Sequence, residues 1–237
     1  MKFRSLIAAA SLALAAVSAH AQNVADVRAA LRKVMPNLPA DARIVKTPYA
    51  GLYEVDFGNH VFYTDAQGRY LFAGEILDTR TGVNLTKQRV AELDRVPWKD
   101  LPLHDAFKVV YGNGKTEIAV FEDPYCPYCH RLEKTLEGIG NMTVHVFLFP
   151  VIRPDSPARA REIWCSPDRG RAWQDWMDHQ KAPAPAPARC KAHALEANLA
   201  LGQRLGIEST PTMFLHNGMR ITGAVDAQTI RKALAQP

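Results

Sequence analysis

Two cysteines separated by two residues, Cys126 and Cys129, come shortly after the apolar run 118–121 and precede a stretch with helical periodicity. A buried strand that leads into a helix starting at a cysteine places that thiol beside unpaired backbone N–H groups, which favour the thiolate. Pro127 fits this register, because proline is favoured at the first position of a helix. The spacing also allows Cys129 to attack a mixed disulfide formed by Cys126. We therefore predict a redox-active pair in which Cys126, at the more exposed and electropositive position, is the nucleophile.

The helix after the cysteines is predicted to bury one apolar stripe, formed by Leu132, Leu136 and Ile139. Gly138 and Gly140 mark the end of this helix. The charged residues predicted to lie largely elsewhere on its surface are Arg131, Glu133, Lys134 and Glu137.

The same cysteines allow other interpretations. Together with His130 they match C-x-x-C-H, the attachment motif of c-type haem, although a haem protein would surround the motif with helices rather than a buried strand. Zinc is a weaker interpretation, because Cys165 and Cys190 are too far apart to form a second C-x-x-C knuckle. A purely structural bond between Cys126 and Cys129 would contribute only about 2 kcal/mol, since it closes a short loop. We expect no metal and no cofactor, with haem as the alternative to thiol exchange.

The N-terminus has the features of a cleaved secretory signal. Lys2 and Arg4 are basic, residues 6–17 are apolar, and residues 19–21 offer a small-x-small cleavage site. An apolar core of about a dozen residues is short of the roughly 20 needed to span a bilayer. We expect a signal peptide over residues 1–21 and a mature protein in an oxidising space such as the bacterial periplasm.

Charge gives no indication of nucleic-acid binding. The 237 residues include 29 Lys and Arg against 24 Asp and Glu, and removal of residues 1–21 leaves 27 against 24. This mild positive charge is not arranged in a basic stripe interleaved with aromatic residues. The remaining length fits one large or two modest domains.

A small N-terminal domain is predicted over residues 22–82. It begins with a helix capped by Asn23 and continues as an antiparallel meander that turns at Gly58. Its core is thin for a free-standing unit, so we expect it to pair with a second copy. Residues 83–96 are predicted to form a helical linker with Thr86 as its cap.

A second domain is predicted over residues 97–237. Its strands near 117–122 and over 144–151 lack polar alternation, which indicates a sheet covered on both faces. A long helical region, two further strands and a last helix capped by Asp226 follow. Pro211 is at the start of one strand, and from the dipeptide with Thr210 alone an ordinary trans loop proline is preferred over a cis bond.

The mature chain resembles the DsbC/DsbG-type periplasmic thiol:disulfide isomerases over nearly its whole length. The resemblance depends on several motifs in a specific order, which are Asp123 to His130, Ile163-Trp164-Cys165, Arg171-Ala172-Trp173, Ala200-Leu201-Gly202, Thr210-Pro211 and His216-Asn217-Gly218. It implies a mixed α+β / α/β architecture. In this architecture a small α+β dimerisation domain and a linker helix precede a thioredoxin-like catalytic domain with a helical insertion.

The resemblance also implies roles for single residues. Cys126 would attack client disulfides, Cys129 would resolve the adduct, and Thr210, before a cis Pro211, would contact the substrate. Cys165 and Cys190 resemble the structural disulfide of the family, and a loop of about 26 residues would contribute roughly 3.5 kcal/mol. The implied partners are misfolded secreted proteins with disulfides, a DsbD-like membrane reductant and a second copy of the chain.

The dipeptide between the cysteines bears on the subtype. Pro127-Tyr128 resembles the DsbG pattern, whereas the rest of the catalytic domain is closer to DsbC. The expected function is isomerisation or reduction of non-native disulfides. A DsbG-like reductase of sulfenylated cysteines with chaperone activity is the alternative, and a holdase whose cleft binds clients without redox turnover would coexist with either.

Overall fold

The computed structural model describes residues 23–236. The predicted signal peptide lies outside these residues. The chain divides between Ile76 and Leu77 into two compact units. This division precedes residue 83, at which the sequence predicts the linker to begin.

The first unit packs one helix on an antiparallel sheet. Helix α1 (Val24–Val34) begins at Asn23, whose side chain accepts a hydrogen bond from the Asp26 N–H, as predicted for its cap. The four strands lie in sequential order and are β1 (Arg43–Lys46), β2 (Tyr53–Phe57), β3 (His60–Thr64) and β4 (Leu71–Phe72). The core between helix and sheet consists mainly of Val27, Leu31, Ile44, Val55 and Phe62.

Two glycines set the turns of this meander. Gly58, in the predicted hairpin turn between β2 and β3, has a φ of 56°. Gly68, after β3, also has a positive φ, and a Cβ there would lie 2.8 Å from the Cβ of Ala30 on α1. A side chain at position 68 would therefore be opposed both by the backbone conformation and by the helix.

The second unit opens with a short hairpin and a helix. Strands β5 (Leu77–Asp78) and β6 (Val83–Asn84) pair antiparallel, and α2 (Leu85–Leu93) follows. The Asn84 side chain accepts a hydrogen bond from the Lys87 N–H and caps α2, whereas the sequence predicted Thr86 as the cap. The helical part of residues 83–96 is thus limited to 85–93. Two short 3₁₀ turns, at Trp98–Asp100 and Leu103–Asp105, lead to the main sheet.

The main sheet has five strands in the order β11-β10-β8-β9-β7. Strands β8 and β9 are parallel and the other pairs are antiparallel. The strands are β7 (Phe107–Tyr111), β8 (Thr116–Glu122), β9 (Met142–Leu148), β10 (Thr212–Leu215) and β11 (Arg220–Thr222). The helices around them are α3 (Pro127–Ile139), α4 (Ser156–Trp164), α5 (Arg169–His179), α6 (His193–Arg204) and α7 (Ala227–Leu234).

Buried side chains cover both faces of this sheet, as predicted. One face packs against α3, α5 and α7 through Val120, Leu132, Val144, Trp173 and Ile230. The other face carries a separate aromatic cluster formed by Phe121, Phe147, Phe149 and Phe214. No helix within residues 23–236 has the length and apolar character needed to cross a bilayer.

Candidate active site

The two motif cysteines lie where β8 passes into α3. Cys126 is the N-cap of α3, and Cys129 lies in its first turn. Both are free thiols, so this structure represents the dithiol form. Cys126 is 2% exposed and Cys129 is fully buried. The N-cap thiol is therefore the more accessible one, as predicted, but its opening to solvent is narrow.

Thr210 and Pro211 lie beside the nucleophile candidate. The Cys126 Sγ donates a hydrogen bond to the Thr210 carbonyl oxygen at 3.3 Å. The Thr210-Pro211 peptide bond is cis. This agrees with the family resemblance, whereas the prediction of a trans bond from the dipeptide alone is wrong. The Thr210 hydroxyl is buried and makes no hydrogen bond within the described residues while Cys126 is protonated, so it can donate one to the Cys126 thiolate. The structure thus brings together two pairs of residues that are far apart in the sequence, Cys126 and Cys129 on one side and Thr210 and Pro211 on the other.

The surroundings of the two thiols shift their pKa values in opposite directions. Hydrogen bonding from the Cys129 side chain lowers the pKa of Cys126 to about 6. Burial opposes this shift, while hydrogen bonds from the Thr210 side chain and from the backbone of Cys129 and Tyr128 add to it. Burial raises the pKa of Cys129 well above its usual range, and the hydrogen bond to Cys126 and the charge of Glu122 raise it further. At neutral pH, Cys126 is a thiolate and Cys129 a thiol.

A buried aspartate holds the loop after β9 against the motif. The Asp123 carboxylate accepts hydrogen bonds from the backbone N–H groups of Tyr125 (2.7 Å), Val151 (2.7 Å) and Ile152 (2.8 Å), and from the Ser156 hydroxyl (3.0 Å). Because these bonds satisfy both oxygens, the charge of Asp123 is accommodated in a fully buried position. The side chains of Val151 and Ile152 remain about half exposed and provide apolar surface next to the thiols.

A second polar cluster lies beneath α3. The Glu133 carboxylate accepts hydrogen bonds from the Tyr111 hydroxyl (2.6 Å) and the Trp173 indole N–H (3.0 Å). Glu133 is buried, so the prediction that it faces away from the buried stripe is wrong. The hydrogen bonds from Tyr111 and Trp173 compensate for the free energy lost when the Glu133 carboxylate is removed from water. Glu122, at the end of β8, is fully buried, and neither of its carboxyl oxygens has a hydrogen-bond partner within the described chain.

The electrostatics of Glu122 follow from this environment. Burial raises the pKa of Glu122 well above its usual range, and the nearby Glu133 carboxylate and the charge of Cys126 raise it further. The Cys129 thiol acts in the opposite direction. The sequence did not lead us to predict that either glutamate is buried next to the motif. The available signal was their position, since Glu122 closes an apolar strand and Glu133 lies one turn after Cys129.

Aromatic rings surround the other side of the motif. The Trp176 indole donates a hydrogen bond to the Pro124 carbonyl at 2.6 Å, and its ring meets that of Tyr125 edge to face at 5.3 Å. Trp176 and Trp173 are both buried. The His130 Nδ1 lies 2.7 Å from the Met177 carbonyl oxygen. A cleft of about 320 Å³ lies here and is lined in part by Tyr125 and Pro127, the two residues that flank Cys126.

Cys165 and Cys190 are joined by a disulfide bond with a Cα–Cα distance of 6.0 Å. Cys165 ends α4, and Cys190 precedes α6. The alanine-proline segment 182–187 lies inside the loop that this bond closes and forms neither helix nor strand. His145 is buried in β9 with its Nε2 at 3.4 Å from the Glu117 carboxylate, which makes it a hydrogen-bonded core residue. Residues 23–236 contain no cluster of three or more acidic, His or Cys side chains arranged to hold a metal ion.

Comparison with known families matches both parts of the chain. Residues 17–87 match the "Disulfide bond isomerase protein N-terminal domain", and residues 103–236 match the "Thioredoxin-like domain". The two matches come in the order that the sequence predicts, with the small N-terminal domain first and the thioredoxin-like domain second.

Two relatives and one solved structure carry related names. The probable thiol:disulfide interchange protein DsbC of Bordetella parapertussis is 40% identical over 189 residues, which are 80% of this chain and 66% of that protein. The thiol:disulfide interchange protein DsbC of Dickeya dadantii is 30% identical over 205 residues, 82% of this chain and 81% of that protein. The crystal structure of a disulfide interchange protein from Neisseria gonorrhoeae superposes with a TM-score of 0.54 at 37% identity, covering 57% of this chain and all of that one. The chain therefore belongs to the DsbC family of thiol:disulfide interchange proteins, and its mixed fold is thioredoxin-like, as the motifs predicted.

Proposed function

We propose that this protein isomerises or reduces non-native disulfides in secreted proteins, with Cys126 as the nucleophile and Cys129 as the resolving thiol. The observation that carries the proposal is the position of the Cys126 sulfur at the start of α3, against Thr210, where its pKa is lowered to about 6. About 90% of a thiol with this pKa is ionised at pH 7, and the thiolate is the form that attacks disulfides.

The reaction proceeds by two exchanges. The Cys126 thiolate attacks one sulfur of a client disulfide, which forms a mixed disulfide and releases the other client sulfur as a thiolate. That client thiolate attacks a different disulfide or the mixed disulfide itself, which restores Cys126 and completes an isomerisation. If the client stalls, Cys129 attacks Cys126, expels the client as a thiolate and leaves an enzyme disulfide. An external dithiol, in our proposal a DsbD-like membrane reductant, then reduces this disulfide.

Client binding is proposed at the surface around Cys126. The backbone of Thr210 faces the sulfur, and Tyr128, Val151 and Ile152 expose apolar side chains nearby. An extended client segment can pair with backbone groups while its side chains contact this apolar surface, which requires no particular client sequence. Misfolded secreted chains have these features, since they expose both backbone and apolar residues.

A homodimer is proposed through the N-terminal unit. Strand β4 is at the edge of its sheet, and Tyr70, Leu71 and Phe72 are about half exposed along it. A groove of about 450 Å³ lies next to them. An unpaired edge of apolar residues is a site at which a second copy can add its own strand. The match of this unit to an isomerase N-terminal domain supports the same pairing.

The proposed location is the periplasm, reached through cleavage of residues 1–21. The formed bond between Cys165 and Cys190 and the redox role of the motif both fit an oxidising compartment. Membership of the DsbC family favours thiol exchange over the haem attachment that Cys126, Cys129 and His130 would otherwise permit.

The experiment compares variants of the mature protein in the reactivation of scrambled ribonuclease. Cys126→Ala should abolish reactivation, because the remaining thiol, Cys129, is fully buried and protonated and cannot attack the substrate. Cys129→Ala should retain a measurable rate and accumulate mixed disulfides between Cys126 and ribonuclease, visible on non-reducing gels. Full reactivation by Cys126→Ala would show the proposal to be wrong.

A further inference from the structure

A small cleft adjoins the residues that flank the nucleophile. Its volume is about 320 Å³, at the lower end of the range for ligand sites, so it has room for a client side chain rather than for a large cofactor. Its walls are held in place, because the Trp176 and His130 rings each donate a hydrogen bond to a backbone carbonyl. The cleft is lined by Tyr125, Pro127, His130, Arg153, Trp176 and Gln180.

Arg153 brings a permanent positive charge to this cleft. Its guanidinium carbon lies 4.6 Å from the centre of the Tyr125 ring, so the ring covers one face of the group. The Arg153 Nε pairs with Asp155 at 3.1 Å, and both side chains of this pair are about half exposed. Within residues 23–236 the two terminal nitrogens of the guanidinium have no hydrogen-bond partner. Their N–H groups form the planar fork that is suited to a carboxylate.

The cleft has no negative charge of its own. None of the described residues that line it is acidic. Gln180, an exposed residue of the lining, can donate an additional amide N–H. A client lysine or arginine would meet a like charge here, and an apolar side chain would cover the Arg153 guanidinium without giving it a partner. A carboxylate is the group that gains both hydrogen bonds and an opposite charge.

We propose that this cleft receives an acidic side chain of the client, close in sequence to the cysteine that Cys126 attacks. The inference rests on the proposed function and deepens it, because it determines which client disulfides react fastest. An extended chain advances about 3.3 Å per residue, so a residue within about three positions of the client cysteine can reach the cleft. Its carboxylate accepts hydrogen bonds from the terminal N–H groups of Arg153, while Asp155 keeps the Nε. The contacts that need no particular client sequence remain, and the acidic residue adds to them.

The test compares peptides that differ in one residue. Each peptide has a single cysteine joined by a disulfide to 2-nitro-5-thiobenzoate, and it has Glu or Gln at one of the two positions before or after that cysteine. Attack by Cys126 of the reduced mature protein on the peptide sulfur releases the coloured thiolate, which is recorded by stopped flow. For at least one position, the glutamate peptide should react about five-fold faster than the glutamine peptide at low salt, the size expected of one partly exposed charge pair. In about 0.5 M NaCl this ratio should fall towards one, because salt screens exposed charges.

Variants of one arginine assign the preference to the cleft. Arg153→Gln should abolish the difference between glutamate and glutamine peptides, and Arg153→Lys should restore part of it, because the charge returns without the planar fork. The ratio compares two peptides on the same protein, so a change in the reactivity of Cys126 itself cancels. Arg231→Gln is the matched control and should leave the ratio unchanged. Arg231 is exposed in the last turn of α7, next to Ala233, whose carbonyl accepts a hydrogen bond from Asn217 at the end of β10 that lies away from the motif.

The inference and the proposed function fail in different ways. No release of coloured thiolate from any peptide by the unmodified protein would contradict the proposed function. Equal rates for all glutamate and glutamine peptides, a ratio that salt does not change, or the same ratio in Arg153→Gln as in the unmodified protein would overturn the inference about the cleft alone. The measurements on the unmodified protein at low and high salt decide the question even if Arg153→Gln does not fold.

Discussion

The two thiols of the motif are three residues apart, yet the groups around each sulfur differ in kind. Cys126 receives hydrogen bonds from Cys129, from the Thr210 side chain and from the start of α3, all of which stabilise negative charge. Cys129 lies in the apolar core, where burial and the neighbouring Glu122 carboxyl disfavour a second negative charge. In the proposed mechanism, this difference leaves Cys126 able to attack first and keeps Cys129 protonated until a mixed disulfide has formed.

Replacement of Thr210 by Val should raise the pKa of Cys126, because it removes a hydroxyl that stabilises the thiolate. In the parent protein the rate of iodoacetamide alkylation should rise with pH and reach half its maximum near pH 6. In Thr210→Val the midpoint should move to higher pH, so that less thiolate is present at pH 6. Thr143→Val is the matched control, since that buried hydroxyl bonds to Gly114 at the opposite end of β9. An unchanged midpoint in Thr210→Val would contradict the assignment.

Sequence reasoning reached the residues that carry a recognisable pattern and missed those defined only by three-dimensional neighbours. The spacing of Cys126 and Cys129 and their place before a helix were sufficient to predict a redox pair. The glutamates at 122 and 133 look like ordinary strand-end and helix-surface residues until Tyr111 and Trp173, distant in sequence, supply the hydrogen bonds. Charged residues are almost never fully buried unless paired, so a local pattern predicts exposure for them.

At the scale of elements, Asp123 joins the start of α3 to the loop that follows β9. Replacement by Ala should lower the free energy of unfolding by about 3 kcal/mol or more, because three partly buried N–H groups and the buried Ser156 hydroxyl lose their acceptor. Ser156→Ala, which removes the bond to Asp123 and the bond from the Arg153 N–H, should cost about 2 kcal/mol. Urea unfolding followed by circular dichroism measures both.

Asp155→Ala supplies the control for the Asp123 substitution. Its carboxylate is half exposed in the same loop and pairs only with Arg153 in the described structure, an interaction worth little on a protein surface. Its unfolding free energy should stay within about 0.5 kcal/mol of the parent value. Equal losses in Asp123→Ala and Asp155→Ala would show that Asp123 does not hold the loop in place.

Elements with clear end signals were predicted and those without them were missed. The caps Asn23 and Asp226 and the turn at Gly58 marked α1, α7 and the first hairpin. Strand β1 is only four residues long and contains two charged residues, so it has little apolar pattern of its own. Strand β7 alternates buried and exposed residues at the edge of the main sheet, and its existence depends on pairing with β9.

At the scale of the whole molecule, we expect isomerisation to need two copies of the chain, whereas thiol exchange needs one. Leu71→Asp places a charge on the exposed edge strand β4 and should convert the dimer into monomers in sedimentation equilibrium. The rate at which Cys126 of the reduced protein attacks 5,5′-dithiobis(2-nitrobenzoate) should be unaffected, because that small disulfide requires only Cys126. Reactivation of scrambled ribonuclease should fall at least several-fold, since a large client loses the surface shared between two copies.

Val34→Asp is the corresponding control in the same unit. Val34 is 68% exposed at the end of α1, so the same kind of substitution there removes no edge contact. It should leave both the dimer and the isomerase rate unchanged. A dimer that persists in Leu71→Asp, or one lost equally in both variants, would argue against pairing along β4.

The position of Trp176 gives this protein a built-in optical reporter. Its indole N–H donates a hydrogen bond to the carbonyl of Pro124, two residues before Cys126. Its ring contacts the ring of Tyr125. Emission from such a ring responds to nearby sulfur and to small movements of its hydrogen-bonded partner. Turnover can therefore be followed from the fluorescence of the unlabelled chain, without a dye on either cysteine.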